Sequence, residues 1–89
     1  MKTMRIIVSG RVQGVYFRAY TQKLAIKYGI KGYVKNMKDG SVEIVAGANQ
    51  QTLEKFINGC KKGPMMAKVD GITVSEYTST IGFDQFDIF

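Results

Sequence analysis

The sequence of 89 residues contains no histidine and no tryptophan, and it has one cysteine and one proline. Without histidine, the chain has no Ser-His-Asp or Cys-His nucleophile, no imidazole general base and no histidine-ligated metal. The single Cys60 cannot form an internal disulfide or a cysteine-rich zinc site. No apolar run is long enough to cross a bilayer, and the N-terminus has no signal-peptide pattern. We therefore expect a protein of a reducing compartment, with a cytoplasmic location.

Positive charge is in excess and unevenly placed. The 13 lysines and arginines outnumber the 7 acidic residues, which gives a net charge of +6. Residues 1–38 contain no acidic residue, whereas every charged residue after Lys68 is acidic. The basic residues of the first segment are Lys2, Arg5, Arg11, Arg18, Lys23, Lys27, Lys31, Lys35 and Lys38. This distribution predicts a positive field over the N-terminal half and an anionic partner drawn to it.

The first half of the chain shows strand, helix and hairpin patterns in that order. Met4–Ser9 is short, apolar and β-branched, which predicts a strand. Apolar residues recur at helical spacing between Phe17 and Tyr28, and Gly29 is suited to a left-handed helix end. Side chains alternate across Ile30–Ala46 around an Asp39-Gly40 turn, which predicts a β-hairpin.

A second helix and two closing strands complete the pattern. Asn49 is a suitable N-cap and Gly63-Pro64 ends the helix. Its apolar stripe consists of Leu53, Phe56, Ile57 and Cys60. Lys68–Tyr77 and Phe83–Phe89 follow as predicted strands. The order βαββαβ with a C-terminal extra strand predicts a single α+β domain over residues 1–89. We expect a ferredoxin-like sandwich, with an antiparallel sheet and two helices on one face.

A glycine-containing loop between the first strand and the first helix is the strongest candidate for a binding site. Gly10 and Gly14 permit positive φ and close approach to a ligand, and unpaired N–H groups at a helix start can converge on an oxyanion. Arg18 adds a planar set of donors, and its charge is unfavourable by about 0.3–1 kcal/mol near a helix N-terminus unless an anion binds there. A purely structural loop remains the alternative at this point. The predicted phosphate-binding loop consists of Arg11, Val12, Gln13, Gly14, Val15, Tyr16, Phe17 and Arg18.

Asn36 is the second unusual residue. The alternation places it on the same face as Ile30 and Val34, although asparagine is a poor strand residue and needs partners on an apolar face. Either the backbone beside the turn satisfies its amide, or the amide holds a water or a carbonyl in place for function. Both interpretations are open on the pattern alone.

Two segments resemble the motifs of the acylphosphatase family. Gly10 to Arg18 reads GRVQGVYFR and resembles G-x-V-Q-G-V-x-F-R at every fixed position. Gly32 to Glu43 reads GYVKNMKDGSVE and resembles G-x-V-x-N-x-x-D-G-x-V-E. Chain length and element order agree with the family across essentially the whole sequence.

The resemblance implies an enzyme that hydrolyses the carboxyl–phosphate bond of acyl phosphates. By this resemblance, Arg18 and the loop amides bind the phosphoryl group, and Asn36 orients the attacking water. It implies no metal and no cofactor. We expect a small-molecule acyl phosphate as substrate, inorganic phosphate as product and inhibitor, no membrane or nucleic-acid partner, and a monomer.

Other functions explain less of the sequence. Cys60 lacks the following arginine of a Cys-x5-Arg phosphate loop, and Asp39 and Glu43 fit turn chemistry and a solvated face better than acid/base catalysis. The main alternative is an RNA-binding module of the same fold, because Lys31-Gly32-Tyr33 begins like an RNP1 segment, although Val34-Lys35-Asn36 breaks that pattern. A third possibility is a phosphate sensor or a subunit of a larger carbamoyl-phosphate-handling enzyme.

Overall fold

Five strands and two helices make up the computed structural model, which describes residues 2–78 and 82–89. In chain order they are β1 (Lys2–Arg11), α1 (Phe17–Lys27), β2 (Lys31–Asn36), β3 (Val42–Ala48), α2 (Gln50–Lys62), β4 (Lys68–Glu76) and β5 (Phe86–Ile88). Neither helix is long and apolar enough to cross a membrane, within the residues so described. The predicted order βαββαβ with an extra C-terminal strand is confirmed.

The strands form one sheet in the order β4-β1-β3-β2-β5. All neighbouring pairs are antiparallel except β2 and β5, which run parallel. The ferredoxin-like arrangement is therefore as predicted, but the sheet is mixed rather than antiparallel throughout. The physical reason is that β5 does not follow its neighbour through a hairpin, which would force an antiparallel pair, but returns to β2 after a long connection.

Local sequence signals account for most element ends. The Asn49 side chain accepts a hydrogen bond from the Thr52 amide at 2.9 Å, as expected of an N-cap. Gly29 and Gly63 follow the two helices with φ near +68° and +67°, in the region that glycine adopts readily. The last strand is shorter than the predicted Phe83–Phe89.

The helices cover one face of the sheet and enclose the core. Phe17 on α1 and Phe56 on α2 are fully buried against Ile6, Val34 and Ile44 of the strands. Cys60 belongs to the same α2 stripe, and burial raises the pKa of its thiol to about 12. A thiol in this state is a poor nucleophile, which agrees with the structural role expected for it.

The topology brings three strand ends to one edge of the sheet. Because β1 and β2 both pair antiparallel with β3, they run in the same direction, and β5 runs parallel to β2. The C-terminal ends of these three strands therefore lie on the same side, where α1 also begins. The predicted loop and Asn36 both leave the sheet at this edge.

Glu43 lies on the other face of the sheet, and its predicted solvated position is wrong: the residue is 5% exposed. Its carboxylate accepts hydrogen bonds from Arg5 Nε and, at 2.8 Å, from the Tyr33 hydroxyl, and Lys35 Nζ lies 3.7 Å away. Burial alone would raise the pKa of Glu43, but the bonds from Arg5 and Tyr33 and the charges of Arg5 and Lys35 lower it overall. The alternation of Glu43 with the buried Val42 and Ile44 places it on the other face, but it does not predict the polar partners that Glu43 has there.

We expect Glu43 to stabilise the fold in a pH-dependent way. Because its folded-state pKa is lowered, its contribution is complete above the unfolded-state value of about 4.3 and is lost as the pH falls through the folded-state value. Glu43→Gln should lower the free energy of unfolding by about 2 kcal/mol at pH 7. Urea unfolding of both proteins from pH 7 to pH 3 should show this difference shrinking below pH 4. A difference that stays constant with pH would contradict the assignment.

Candidate active site

A cleft of about 380 Å³ opens at the edge where β1, β2 and β5 end. The two residues predicted to be catalytic, Arg18 and Asn36, both line it although they come from α1 and β2. The other lining residues are Val12, Gly14, Tyr16, Phe17, Ala19 and Ile88. The fold thus brings the predicted loop and the predicted amide to one site.

The loop main chain has the form of an anion cradle. Gly14 and Tyr16 both have left-handed backbone, with φ of 73° and 64°. The start of α1 has no side-chain cap and no acidic residue in its first turn. Within the described residues, the amides of residues 13–17 donate no hydrogen bond to other backbone groups outside the regular elements. N–H groups without a backbone partner, at the positive end of a helix, favour binding of an oxyanion.

Four other residues of the predicted loop support the cradle, and two of them, Val12 and Phe17, also line the cleft. Arg11 is the last residue of β1 and lies opposite Lys68 of β4. Val12, Val15 and Phe17 are buried and belong to the hydrophobic core, so they anchor the loop on both sides. Their side chains explain why the main chain between them has a defined shape.

Arg18 is held across the cleft by a main-chain oxygen. Its Nη1 donates a hydrogen bond to the Phe89 oxygen at 2.8 Å. Phe89 is in turn fixed by its amide, which donates to the Val34 oxygen at 2.9 Å, and by its ring, which packs on Tyr33 with centroids 5.3 Å apart. A guanidinium has five N–H donors, so this bond leaves others for a ligand. Sequence reasoning missed Phe89, because a main-chain acceptor carries no residue-type signal.

Asn36 ends β2 and is exposed at the cleft. Its side chain makes no hydrogen bond to another described residue, which gives no support to an amide satisfied by the turn. It also borders a second groove of about 470 Å³, whose other lining residues are Lys35, Met37, Lys38 and Asp39. The amide therefore remains available to a ligand or a water in the cleft.

Gln13 joins the cradle to the turn that follows Asn36. Its Nε2 donates hydrogen bonds of 2.8 Å to the oxygens of both Met37 and Ser41. The turn is shaped by Asp39, whose Oδ1 accepts from the Ser41 amide at 2.9 Å and hydroxyl at 2.6 Å. These Ser41 bonds hold the pKa of Asp39 below its ordinary value, and they confirm the predicted turn chemistry. Gln13 thus sets the position of Asn36 relative to the cradle.

Electrostatics at the cleft are dominated by one side chain, since Arg18 is the sole charged residue among those that line it. Among residues 2–78 and 82–89, no three His, Cys, Asp or Glu side chains form a group that could hold a metal ion. The site therefore consists of main-chain donors, a guanidinium and a neutral amide. Fold and cleft together define a small α+β protein with a candidate site for an anion.

Comparison with known proteins assigns the chain to a family. The sequence profile named Acylphosphatase matches residues 4–88. An acylphosphatase of Thermotoga maritima is 46% identical over 88 residues, covering 99% of this chain and 97% of the relative, and one of Archaeoglobus fulgidus is 49% identical over 85% of both chains. The crystal structure of acylphosphatase from Bacillus subtilis superposes with a TM-score of 0.95 at 44% identity, covering 100% of this chain and 99% of that one. The chain belongs to the acylphosphatase family.

We expect the substitution Gln13→Met to loosen the link between cradle and turn. Loss of two hydrogen bonds should lower the free energy of unfolding by about 1–2 kcal/mol and shift the amide resonances of residues 36–41. Gln22→Met is the matched control, because Gln22 Nε2 makes one comparable bond, of 2.9 Å, to the Phe86 oxygen of β5. Urea unfolding and ¹⁵N–¹H spectra provide the measurements. Shifts in the turn no larger than those of the control would contradict the linking role.

Proposed function

We propose that the cleft hydrolyses acyl phosphates to a carboxylate and inorganic phosphate, in keeping with membership of the acylphosphatase family. The observation that carries the proposal is that one cleft is lined both by Arg18, at an uncapped helix start, and by Asn36, whose amide makes no side-chain hydrogen bond to a described residue. A carboxylate is a good leaving group, so positioning and charge stabilisation can supply most of the acceleration. This chemistry asks for no titrating protein side chain and no nucleophilic residue.

The cradle and Arg18 hold the phosphoryl group. The phosphoryl oxygens accept hydrogen bonds from the amides of residues 13–18. These amides lie at the N-terminal end of α1, where the helix dipole is positive. Arg18 contributes planar, permanently charged donors that match phosphoryl oxygens. The bond from Arg18 to the Phe89 oxygen orients the guanidinium before substrate arrives, which lowers the cost of reorganisation in the transition state.

Asn36 orients the water that attacks phosphorus. The water oxygen forms a bond to phosphorus while the bond between phosphorus and the acyl oxygen breaks, and the electron pair leaves with the carboxylate. The water proton passes to an oxygen of the substrate's own phosphoryl group. The proposed step uses no acid or base from the protein, so we expect the rate to change little between about pH 5 and 8.

The proposed reaction also has consequences for cofactors, product inhibition, oligomeric state and cellular location. The donor set needs no metal or cofactor, because the cradle and Arg18 already supply the charge complementarity. Inorganic phosphate, the product, competes with substrate because it fits the same cradle. The net charge of +6 favours a monomer through mutual repulsion of like copies. A cytoplasmic location suits the buried, free thiol of Cys60, which is stable in a reducing compartment.

The RNA-binding alternative receives no support from the sheet face that such modules use. Tyr33 packs against Phe83 and Phe89, with centroids 5.9 and 5.3 Å apart, and its hydroxyl is bound to the buried Glu43. Burial and the bond to Glu43 also raise the pKa of the Tyr33 hydroxyl. Base stacking requires accessible aromatic faces, and here the Tyr33 ring is engaged in an edge contact with Phe83 and a tilted contact with Phe89.

The substitutions Arg18→Gln and Asn36→Ala separate the two roles. Each should lower kcat/KM for acetyl phosphate by about 10²–10³, as removal of one transition-state donor does. Arg18→Gln should also weaken inhibition by inorganic phosphate, whereas Asn36→Ala should leave that inhibition nearly unchanged because its amide binds water. The measurement is phosphate release with a chelator present.

Lys38→Ala is the control, since Lys38 lies outside the cleft on the second groove. Thermal unfolding verifies that each variant is folded. Full turnover in Arg18→Gln, or activity that the chelator abolishes, would contradict the proposed mechanism. Salt-sensitive RNA binding without phosphate release would point instead to the binding module.

A further inference from the structure

The cleft has more room than a phosphoryl group needs. Its volume is about 380 Å³, compared with about 30 Å³ for one water molecule in the liquid. The phosphoryl group occupies the part beside the cradle and Arg18. The remainder must hold the acyl group of the substrate, which the proposed function leaves unspecified.

Tyr16 is an exposed aromatic ring at the rim of this space. It is the single non-glycine residue with positive φ among those described, a conformation that is unfavourable for a side chain with a Cβ. The residue is 79% exposed, so packing within the protein does little to offset that strain. A strained backbone at a ligand site with an unpacked ring above it indicates a functional role.

A second apolar side chain lines the cleft from β5. Ile88, at the end of β5, is 39% exposed and lines the cleft, and Phe89 beside it is 65% exposed. Two of the seven large apolar residues exposed in the described chain, Tyr16 and Ile88, therefore line this one cleft, whereas the Phe89 ring packs on Tyr33. Exposed apolar side chains grouped around a cleft mark a binding surface.

In-line attack decides which side of the cleft the acyl group occupies. The attacking and leaving oxygens lie on opposite sides of phosphorus, so the acyl group points away from the water that Asn36 orients. Apart from the loop main chain, Arg18 and Asn36, the side chains of Tyr16, Ala19 and Ile88 line the cleft and can contact the acyl group. The charged groove with Lys35 and Lys38 borders Asn36 instead.

We propose that the cleft selects acyl phosphates with an apolar acyl group, aryl or alkyl, and that Tyr16 and Ile88 are the specificity-determining residues. This inference rests on the acylphosphatase function proposed above. An apolar acyl group buries its surface against the ring of Tyr16 and the side chain of Ile88. A charged acyl group finds no counter-ion there, because Arg18 is the sole charge on the cleft and is engaged by the phosphoryl group and Phe89.

The test compares kcat/KM for benzoyl, acetyl and succinyl phosphate. Tyr16→Asn removes the ring but keeps a residue that tolerates left-handed backbone, and Ile88→Ala shortens the other wall. For each variant, kcat/KM for benzoyl phosphate divided by kcat/KM for acetyl phosphate should be about tenfold lower than in the wild type. The main cause should be a higher KM for benzoyl phosphate. Dividing by the wild-type ratio cancels the difference in intrinsic reactivity of the two substrates.

Two controls match these changes. Ile26→Ala truncates another exposed apolar residue, at the far end of α1, and Lys38→Ala alters the charged groove. Both should leave the ratio as in the wild type. If Tyr16→Asn and Ile88→Ala lower kcat/KM equally for benzoyl and acetyl phosphate, this inference is wrong but the proposed function stands. The same holds if the wild type prefers succinyl phosphate and Lys38→Ala removes that preference. If the wild type releases phosphate from none of the three, the proposed function falls and this inference with it.

Discussion

The proposed phosphoryl site depends on the main chain between β1 and α1, where the amides of residues 13–17 make no backbone hydrogen bond to described residues outside the regular elements. Gly14 and Tyr16 both have left-handed backbone there, a conformation in which successive amides can face one ligand. The uncapped start of α1 adds its own amides and the positive end of its dipole. An arrangement of this kind is unfavourable when empty, since Arg18 then lies at the positive end of a helix. A bound anion reverses the sign of that interaction.

The rest of the fold keeps three separate chain segments in register around that point. Parallel direction of β1, β2 and β5 brings the cradle, Asn36 and Phe89 to one edge of the sheet. Two polar contacts then tie the segments together, from Gln13 to the hairpin turn and from Arg18 to the Phe89 oxygen. On the opposite face, the Glu43 cluster fixes Tyr33, on which the Phe89 ring packs. Through Tyr33 and Phe89, the hydrogen bonds of Glu43 therefore contribute indirectly to the orientation of the Arg18 guanidinium.

Residue types and spacing were enough to predict the elements, and they singled out Arg18 and Asn36, which the fold brings to one cleft. Asn49, Gly29 and the Asp39-Gly40 turn act within a few residues, so local rules describe them well. Arg18 and Asn36 stood out because each occupies a place that is unfavourable without a ligand. The pairing direction of β5, the burial of Glu43 and the role of Phe89 depend on contacts between residues far apart in the chain. A single sequence carries no local signal for such contacts.

The claim that main-chain amides and Arg18 form the phosphate site is tested most directly by titrating the ¹⁵N-labelled protein with inorganic phosphate in the presence of a chelator. The account predicts saturable shifts that are largest at the amides of residues 13–18 and at the Arg18 side chain, with smaller changes at Asn36. Shifts centred on another surface, or none at the amides of residues 13–18 while acyl phosphates are still hydrolysed, would contradict it.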